Sequence, residues 1–373
     1  MSYLKDYSVD HRAGPRGGWI WKLGASSFAL LVLLVVVRNW FFADAGMLRP
    51  DFGVIHEAYD FNLGFLPKAA GVLAAGFFVL ALFVAEIRRG AFILAALHLF
   101  LSADLLVLRH YVTSVEPERL VVRRVELKTP KVSERVRLLH ISDIQSGGIG
   151  AYEKKVFKTI RDLQPDLILN TGDYLQVVPP AKFAEEFEKL RALMVSADPA
   201  LGSYGVFGDT DIDLYRLTQE ALAPLRILSS RSETIPVPGG SLSILGLSLY
   251  QSKNPQWAER NVERWLESTG DDSFRILLGH APDYALGLAD EPIDLCLAGH
   301  THGGQVRLPV IGPLVIDSTV PKAWSRGFRR VGIPYLNVSA GAGSNRYGGL
   351  PPLRFNCPTE ITVIDLVPLQ TIR

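Results

Sequence analysis

The sequence predicts an α/β protein of packed sheets, preceded by a helical region that spans a membrane. Three long apolar runs lie within the first 110 residues and account for the high mean hydropathy of +0.18. Beyond His110, short β-rich runs alternate with amphipathic helical stretches, as is typical of mixed α/β folds. We therefore divide the chain into a membrane region, residues 1–111, and one large domain, residues 112–373.

Each apolar run is close to the length of about 20 residues that an α-helix needs to cross a bilayer. The runs are Leu23–Val37, Ala69–Ala85 and Ala91–Leu108, the last interrupted by His98 and Asp104. Buried helices of a soluble domain are the alternative, but the runs lack the alternation of such helices. A cleaved signal peptide would explain the first run alone. We expect Arg88, Arg89 and Gly90 to form the turn of a helical hairpin.

Basic residues near the runs predict the side of the membrane on which the large domain lies, since they favour the cytoplasm. Six basic residues lie before the first run or in the hairpin turn: Lys5, Arg12, Arg16, Lys22, Arg88 and Arg89. Three lie in the loop between the first two runs: Arg38, Arg49 and Lys68. Three crossings of the cell membrane would place residues 112–373 outside the cytoplasm. If the third run dips in without crossing, the domain is cytoplasmic, and Arg109, Arg119, Arg123 and Arg124 favour that arrangement.

The large domain is predicted to alternate strands and helices at first and to be strand-rich later. The expected strands are Leu120–Leu127, Val136–Ile141, Leu167–Asn170, Tyr204–Phe207, Leu242–Leu249, Phe274–Leu278, Ile293–Ala298, Tyr335–Val338 and Ile361–Leu366. Amphipathic spacing predicts helices at Lys154–Leu163, Ala181–Leu190, Tyr215–Ala223 and Gln256–Leu266.

Residues that can bind metals follow five of these strands, at the point where each strand ends. They are Asp143 and Gln145, Asp173, Asp209 with Thr210 and Asp211, His280, and the pair His300 and His302. Singly, each motif is more often a turn or a core histidine. Because α/β sheets bind ligands outside the carboxyl ends of their strands, we expect the five loops to meet. On an extended segment, His300 and His302 would point the same way.

The residue types in this set favour two divalent cations. Mixed aspartate and histidine ligands suit manganese, zinc or iron better than magnesium or calcium, which prefer oxygen alone. A bridging carboxylate can hold two such ions about 3.5–4 Å apart, and the pair stabilises the attacking and leaving oxygens of a displacement at phosphorus. The set therefore predicts two divalent metal ions (Mn, Zn or Fe) and a phosphate ester as the substrate.

Charge and cysteine content exclude other classes of protein. The chain carries 39 Lys and Arg against 38 Asp and Glu, a net charge of +1, so a nucleic-acid partner is not expected. The only cysteines of the sequence, Cys296 and Cys357, form neither a disulfide framework nor a cysteine-rich zinc site.

The ordered motifs resemble those of the calcineurin-like metallophosphoesterases, whose pattern runs D-x-H, G-D, G-N-H-[DE], a lone histidine and G-H-x-H. The resemblance covers roughly Val122 to the C terminus. It is closest at residues 299–309, G-H-T-H-G-G-Q-V-R-L-P, and 352–361, P-L-R-F-N-C-P-T-E-I, which look like the membrane-associated bacterial branch. It implies a four-layer α/β/β/α sandwich over residues 112–373, with a dinuclear metal site at the sheet edge.

The resemblance also implies a role for each residue of the set. Asp173 would bridge the two metals. Asp143, Gln145 and His302 would complete the first site, and Asp209, His280 and His300 would form the second. Asp209, Thr210 and His280 are the residues expected to act in catalysis.

Three positions depart from the family pattern. Gln145 stands where the family has the histidine of D-x-H, and an amide oxygen is a weaker ligand for these metals. Asp209 replaces the usual asparagine, and its charge should strengthen the second site. Thr210 replaces the histidine that assists the phosphate or the leaving group, and threonine cannot serve as a general acid near neutral pH.

Two interpretations of different class remain open. In the first, the protein is a membrane-anchored phosphoesterase that cleaves a phosphodiester or pyrophosphate bond of a phosphorylated lipid or envelope substrate. A UDP-2,3-diacylglucosamine-type pyrophosphatase of lipid A synthesis is one form of this, since those enzymes also lack the G-N-H histidine. In the second, the domain has lost turnover and is a binding or regulatory module. Arg346 and Arg354 are candidate phosphate contacts or structural arginines, and the oligomeric state is left open.

Overall fold

A computed structural model describes residues 18–48, 52–270, 272–346 and 351–369. Lys5, Arg12, Arg16 and Arg49, which the topology prediction counts, lie outside these residues. The chain forms two compact units, Met1–Asp44 with Glu57–Arg109, and Ala45–His56 with His110–Arg373. The division after residue 111 stays a prediction.

The N-terminal third is helical. Its helices are α1 (Gly18–Leu48), α2 (Phe52–Tyr59), α3 (Leu66–Phe83) and α4 (Arg88–His110). A π-helical segment, Asp60–Phe65, joins α2 to α3, and a 3-10 turn, Ala85–Ile87, precedes α4. Three stretches, Gly18–Ala45, Phe52–Phe83 and Ala85–Glu118, are long and apolar enough to cross a membrane, which confirms the expected apolar helices.

The hairpin turn between α3 and α4 lies earlier than predicted. The backbone leaves the helix at Val84, and α4 begins at Arg88, so the expected turn residues are helical. The physical reason is helix packing: a Cβ at Gly90 would lie 3.0 Å from Ile20 Cγ2 of α1. Small residues allow apolar helices to approach closely, and Gly90 does this instead of turning the chain.

The second unit contains two large sheets. Its strands are β1 (Val121–Thr129), β2 (Val136–Ile141), β3 (Leu167–Asn170), β4 (Ser203–Gly205), β5 (Leu225–Ile227), β6 (Arg231–Val237), β7 (Gly240–Gly246), β8 (Phe274–Leu278), β9 (Leu295–Ala298), β10 (Arg307–Leu308), β11 (Gly312–Pro313), β12 (Gly327–Arg330), β13 (Tyr335–Val338) and β14 (Glu360–Pro368). One six-stranded sheet has the order β1-β14-β2-β3-β4-β5, and the other has the order β12-β13-β9-β8-β7-β6. Strands β10 and β11 form a separate antiparallel pair.

Helices cover the outer faces of the two sheets. They are α5 (Ala151–Leu163), α6 (Phe183–Ser196), α7 (Gln219–Leu222), α8 (Leu249–Ser252) and α9 (Pro255–Ser268). One apolar cluster joins α5 and α6 to the first sheet, a second fills the space between the sheets, and a third joins α9 to the second sheet. Burying each leucine or isoleucine of these clusters stabilises the fold by about 1.5–3 kcal/mol. The packing confirms the four-layer α/β/β/α sandwich.

The neighbouring strands β2, β3 and β4 run parallel, as do β7, β8, β9 and β13. Their apolar runs are buried on both faces, which is typical of parallel strands covered by helices. Parallel pairing brings the carboxyl ends of the strands to the same edge of each sheet, and this positions the candidate site.

One predicted element is broken in two. The expected helix Tyr215–Ala223 is a 3-10 turn, Leu214–Arg216, followed by α7. Leu217 between them has extended dihedral angles, and the Thr218 hydroxyl caps α7 by accepting the Ala221 N–H. Threonine favours a helix N-cap over a helix interior, so the chain restarts there.

Candidate metal centre

Five loops converge at one edge of the packed sheets, and each follows a parallel strand. The loop after β2 supplies Asp143 and Gln145, and the loop after β3 supplies Asp173. Asp209 and Thr210 follow β4, His280 follows β8, and His300 and His302 follow β9. The structure thus brings together the residues that the sequence singles out.

The side chains form two groups of potential metal ligands. Asp209, His280 and His300 form one, and Asp143, Asp173 and His302 form the other; within each, the ligand atoms lie within 4.8 Å of one another. Asp173 Oδ2 also lies 3.5 Å from His280 Nε2, so this carboxylate faces both groups. We call them the open group (Asp209, His280, His300) and the buried group (Asp143, Asp173, His302), because Asp209 alone is substantially exposed.

Several polar atoms of the two groups and of the neighbouring Gln145 are buried without a hydrogen-bond partner among the described residues. They include Asp209 Oδ2, His280 Nε2, His302 Nδ1 and Gln145 Oε1. Leaving such atoms unsatisfied costs about 1–3 kcal/mol each. Asp209 Oδ2 and His280 Nε2 face each other at 3.4 Å, an arrangement that a shared cation would satisfy. The residues therefore fit the two divalent metal ions that the sequence predicts.

The backbone of these loops is held in left-handed conformations that most residues avoid. Asp143, Asp173, His300 and His302 have φ angles of 51°, 60°, 67° and 48°. Such conformations persist where the surrounding structure enforces them, and they cluster at functional sites. They also correct one expectation: the segment carrying His300 and His302 is not extended, and the two imidazoles belong to different groups.

Close approach explains the glycine before Asp209. A Cβ at Gly208 would collide with the Asp173 carboxylate and lie 2.6 Å from the His280 ring. Only glycine allows the loop after β4 to pass this close to the other two loops.

Asp211 ties the loops together from below the site. Its buried carboxylate accepts the backbone N–H groups of Asp173, Tyr174 and Gly208 at 2.7–2.9 Å. Burial, with the charge of Asp173, raises its pKa to about 7. Asp211 therefore positions the site residues and is not itself directed at a ligand.

The electrostatics favour positive charge between the carboxylates. Burial would lower the pKa of His280, but Asp173 and Asp209 beside it raise that pKa well above its ordinary value. Burial opposes ionisation of Asp209 too, but the His280 and His300 rings, whose nitrogens lie 3.4 and 2.9 Å from Asp209 Oδ2, hold its pKa far below the usual range. At Asp143, burial dominates and raises the pKa to about 6.

Gln145 and Thr210, which depart from the family pattern, both donate a hydrogen bond to Asp173. Gln145 is buried, its Nε2 donates to Asp173 Oδ2 at 2.5 Å, and its Oε1 has no partner among the described residues. The Thr210 N–H donates to Asp173 Oδ1 at 2.9 Å, whereas its hydroxyl oxygen is buried without a described partner.

Two contacts at the metal centre were not predicted from the sequence. Lys253, directly after α8, donates to Asp209 Oδ1 at 2.7 Å. Phe52, at the start of α2, is buried, and its ring lies edge-on to the His302 imidazole with the centroids 5.5 Å apart. Neither carries a motif, since Lys253 is 44 residues from its partner and Phe52 is 250 positions from His302.

The arginine of the P-L-R-F-N-C-P motif has a structural role. Arg354 is fully buried, and its guanidinium donates to the carbonyl oxygens of Ala340 and Cys357 at 2.6 and 2.9 Å. The Phe355 N–H donates to the Gln305 carbonyl oxygen at 2.9 Å, and the Arg307 N–H donates to the Phe355 carbonyl oxygen at 3.0 Å, so this motif is joined to G-H-T-H-G-G-Q and the residues after it. With its donors already used, Arg354 is not a phosphate contact.

Comparison with known proteins decides the family. The family model described as calcineurin-like phosphoesterase matches residues 136–304. Phosphodiesterase YaeI of Escherichia coli is 31% identical over 213 residues, 55% of this chain and 71% of the relative. The chain belongs to the calcineurin-like phosphoesterase family.

Two further relatives show a similar degree of divergence from this chain. The uncharacterized metallophosphoesterase YkuE of Bacillus subtilis is 28% identical over 267 residues, 69% of this chain and 88% of the relative. UDP-2,3-diacylglucosamine pyrophosphatase LpxG of Chlamydia trachomatis is 28% identical over 244 residues, 52% of this chain and 73% of the relative. This phosphoesterase is thus a phosphoric ester hydrolase, as its sequence motifs predict.

Proposed function

We propose that this phosphoesterase is a membrane-anchored enzyme that hydrolyses a phosphodiester or pyrophosphate bond in a lipid-linked or envelope substrate. The observation that carries the proposal is the pairing of the open and buried groups around Asp173. Mixed nitrogen and oxygen donors suit manganese, zinc or iron. Two such ions, when bound, would stabilise charge on the attacking and leaving oxygens.

The chain's own residues would hold these ions and orient the substrate. Asp143, Gln145 and His302 would serve the first metal, and Asp209, His280 and His300 the second, with Asp173 shared. Gln145 would present Oε1 as a neutral donor, so the first metal would be held more weakly. Thr210 can donate one hydrogen bond near the reacting phosphate but cannot protonate a departing alkoxide. Substrates with good leaving groups are therefore favoured.

A lipid-linked substrate is supported by the apolar stretches of the N-terminal third. Helix α2, which begins at Phe52, opens the apolar stretch Phe52–Phe83 that is long enough to cross a membrane. The name of LpxG points the same way, because that relative acts on a UDP-linked diacylated sugar.

The division of the chain into two units bears on which side of the membrane the domain occupies. Residues 45–56 join the first two apolar stretches and belong to the same compact unit as the catalytic domain. This membership supports an arrangement in which they lie on the same side of the membrane as that domain. Three crossings fit this arrangement, whereas a third run that dips in without crossing does not. Together with the basic residues near the runs, this favours an extracytoplasmic domain in the cell membrane.

Leaving-group dependence tests the reaction. Purified wild-type protein with Mn²⁺ should cleave bis(p-nitrophenyl) phosphate and pyrophosphate diesters faster than alkyl monoesters. Thr210→His should accelerate only the substrates with poor leaving groups, by about 10-fold or more. Thr159→His, at a half-buried position of α5, is the matched control. Metal binding without turnover of any substrate would favour the alternative of a binding or regulatory module.

Reporter fusions after Arg373 test the topology. An alkaline phosphatase fusion should be active and a green fluorescent protein fusion dark, because each reporter matures on one side only. The opposite pair of results would overturn the extracytoplasmic assignment.

A further inference from the structure

A polar cavity of about 230 Å³ adjoins the buried group. Its lining comes from the loop after β2, the start of α5 and the loop after β13, and includes Gln145, Ser146, Tyr152, Ser344 and Arg346. Gln145 connects it to the metal centre, since the same side chain lines the cavity and bonds Asp173. Gln145 Oε1 is also buried without a described partner.

Arg346 supplies a positive charge to this cavity. Its backbone N–H donates to Gln176 Oε1 at 2.6 Å, which fixes the residue at the rim. The guanidinium lies against Gly147, where an added Cβ would come within 2.7 Å of Nη1. Among the residues that the structure describes, no carboxylate comes within 4.0 Å of it. The carboxylate whose charge acts on Arg346 is that of Glu153, and it already accepts hydrogen bonds from Ser146 Oγ and the Gly150 N–H.

The two arginines that the sequence singles out thus differ. Arg354 uses its donors on backbone carbonyls, whereas the Arg346 guanidinium is half-buried at a cavity with its donors free of described carboxylates. Burial lowers the Arg346 pKa, the charge of Glu153 opposes this, and the group stays cationic at neutral pH. A planar guanidinium in such a setting binds phosphate in a two-pronged manner.

We propose that Arg346 binds a second, non-reacting phosphoryl group of the substrate, so that the enzyme prefers a pyrophosphate linkage to an isolated phosphodiester. This rests on the proposed function, because it requires that one phosphorus reacts at the metal centre. Water would add to that phosphorus and the bridging P–O bond would break. The products are two phosphomonoesters, each with one of the two water protons. The group in the cavity is the leaving phosphate, whose charge Arg346 stabilises.

Substrate discrimination tests the proposal. Full-length Arg346→Gln protein in detergent should lose on the order of 30-fold in kcat/KM for a nucleoside diphosphate sugar, as expected for a charged hydrogen bond. It should lose less than about 3-fold for bis(p-nitrophenyl) phosphate, which has one phosphorus. Arg346→Lys should fall between wild type and Arg346→Gln. Arg226→Gln, in edge strand β5 where the guanidinium donates to the Tyr204 hydroxyl, is the control.

A second variant keeps the charge and moves it. Gly147→Ala would displace the guanidinium and should show the same selective loss, to a smaller extent. Inhibition of the enzyme by inorganic phosphate shows whether the cavity binds free phosphate or a phosphoryl group of the substrate. If Arg346→Gln changes only this inhibition and not pyrophosphate cleavage, the cavity binds free phosphate and the proposal is wrong. Equal losses on both substrates, or none, would also overturn it. If wild-type protein cleaves neither substrate, the proposed function itself fails.

Discussion

The two halves of the metal centre differ in burial and in charge. The buried group, with Gln145 beside it, lies inside the sandwich and has an amide where its family has an imidazole. The open group has an extra carboxylate, Asp209, where its family has an amide, and Lys253 lies against that carboxylate. The buried half thus holds a neutral and weaker donor, whereas the open half holds an additional charge that a neighbouring cation balances. We infer that the open half binds its metal more tightly.

We propose that both halves share Asp173, so its loss should have the largest effect. Asp173→Asn should lower metal binding at both positions and reduce activity by about 10³-fold or more, because the shared carboxylate is gone. Metal content and turnover of a diester check this. Asn170→Ala, in β3 of the same strand-loop unit, serves to separate local disruption from ligand loss. Loss of one metal with the other intact would contradict the shared role.

Lys253 and Asp209 should behave as a pair. Asp209→Asn should weaken Mn²⁺ binding in the open half by about 100-fold, since it removes a ligand charge and leaves a lysine unpaired. In Asp209→Asn/Lys253→Met, which restores the neutral amide without a facing cation, much of the loss should be recovered. Calorimetric titration measures both variants, with Lys189→Met as a surface control. A double variant that binds no better than Asp209→Asn would show that Lys253 does not balance this charge.

Below the buried half, His140 should make folding depend on pH. It lies between Thr171 Oγ1 and Asn337 Nδ2 at 3.0 and 2.8 Å, and burial lowers its pKa to about 3. The unfolded chain binds a proton near pH 6.5, so stability is complete above that value and falls as the pH drops. Between pH 8 and pH 5 the contribution lost is about 2 kcal/mol. Thermal unfolding of wild type and His140→Asn checks this, and equal pH dependence of both would contradict it.

Gln145→His should have the smallest of these effects and should distinguish the buried half from the open half. An imidazole restores the family ligand and should tighten only the weaker metal, by about 10-fold. Titration should show the stronger binding step unchanged. Tightening of the stronger step alone would reverse the assignment of the two halves.

The sequence predicts the framework of this centre well because its signals are local. Strands β2, β3, β8 and β13 begin and end as predicted, since continuous apolar runs between turn residues mark buried parallel strands. Strand β6 was not predicted. Its sequence, R-S-E-T-I-P-V, is mostly exposed and contains Pro236, so it has neither the apolar run nor the composition of an interior strand.

What the sequence could not predict depends on distant contacts. Phe52 reaches His302 across 250 positions of chain, and no periodicity marks it. Arg346 and Arg354 both lie in loops rich in glycine and proline, and nothing in the sequence distinguishes their roles. Only the placement of backbone carbonyls around Arg354, and of a cavity beside Arg346, separates the structural arginine from the other.

Titration of metal-free protein with Mn²⁺, followed by calorimetry, tests the central claim most directly. Two unequal halves predict two equivalents bound, with the first at least about 10-fold tighter and abolished by His300→Ala, which belongs only to the open group. One equivalent, no binding, or two equivalents of equal affinity would contradict the account.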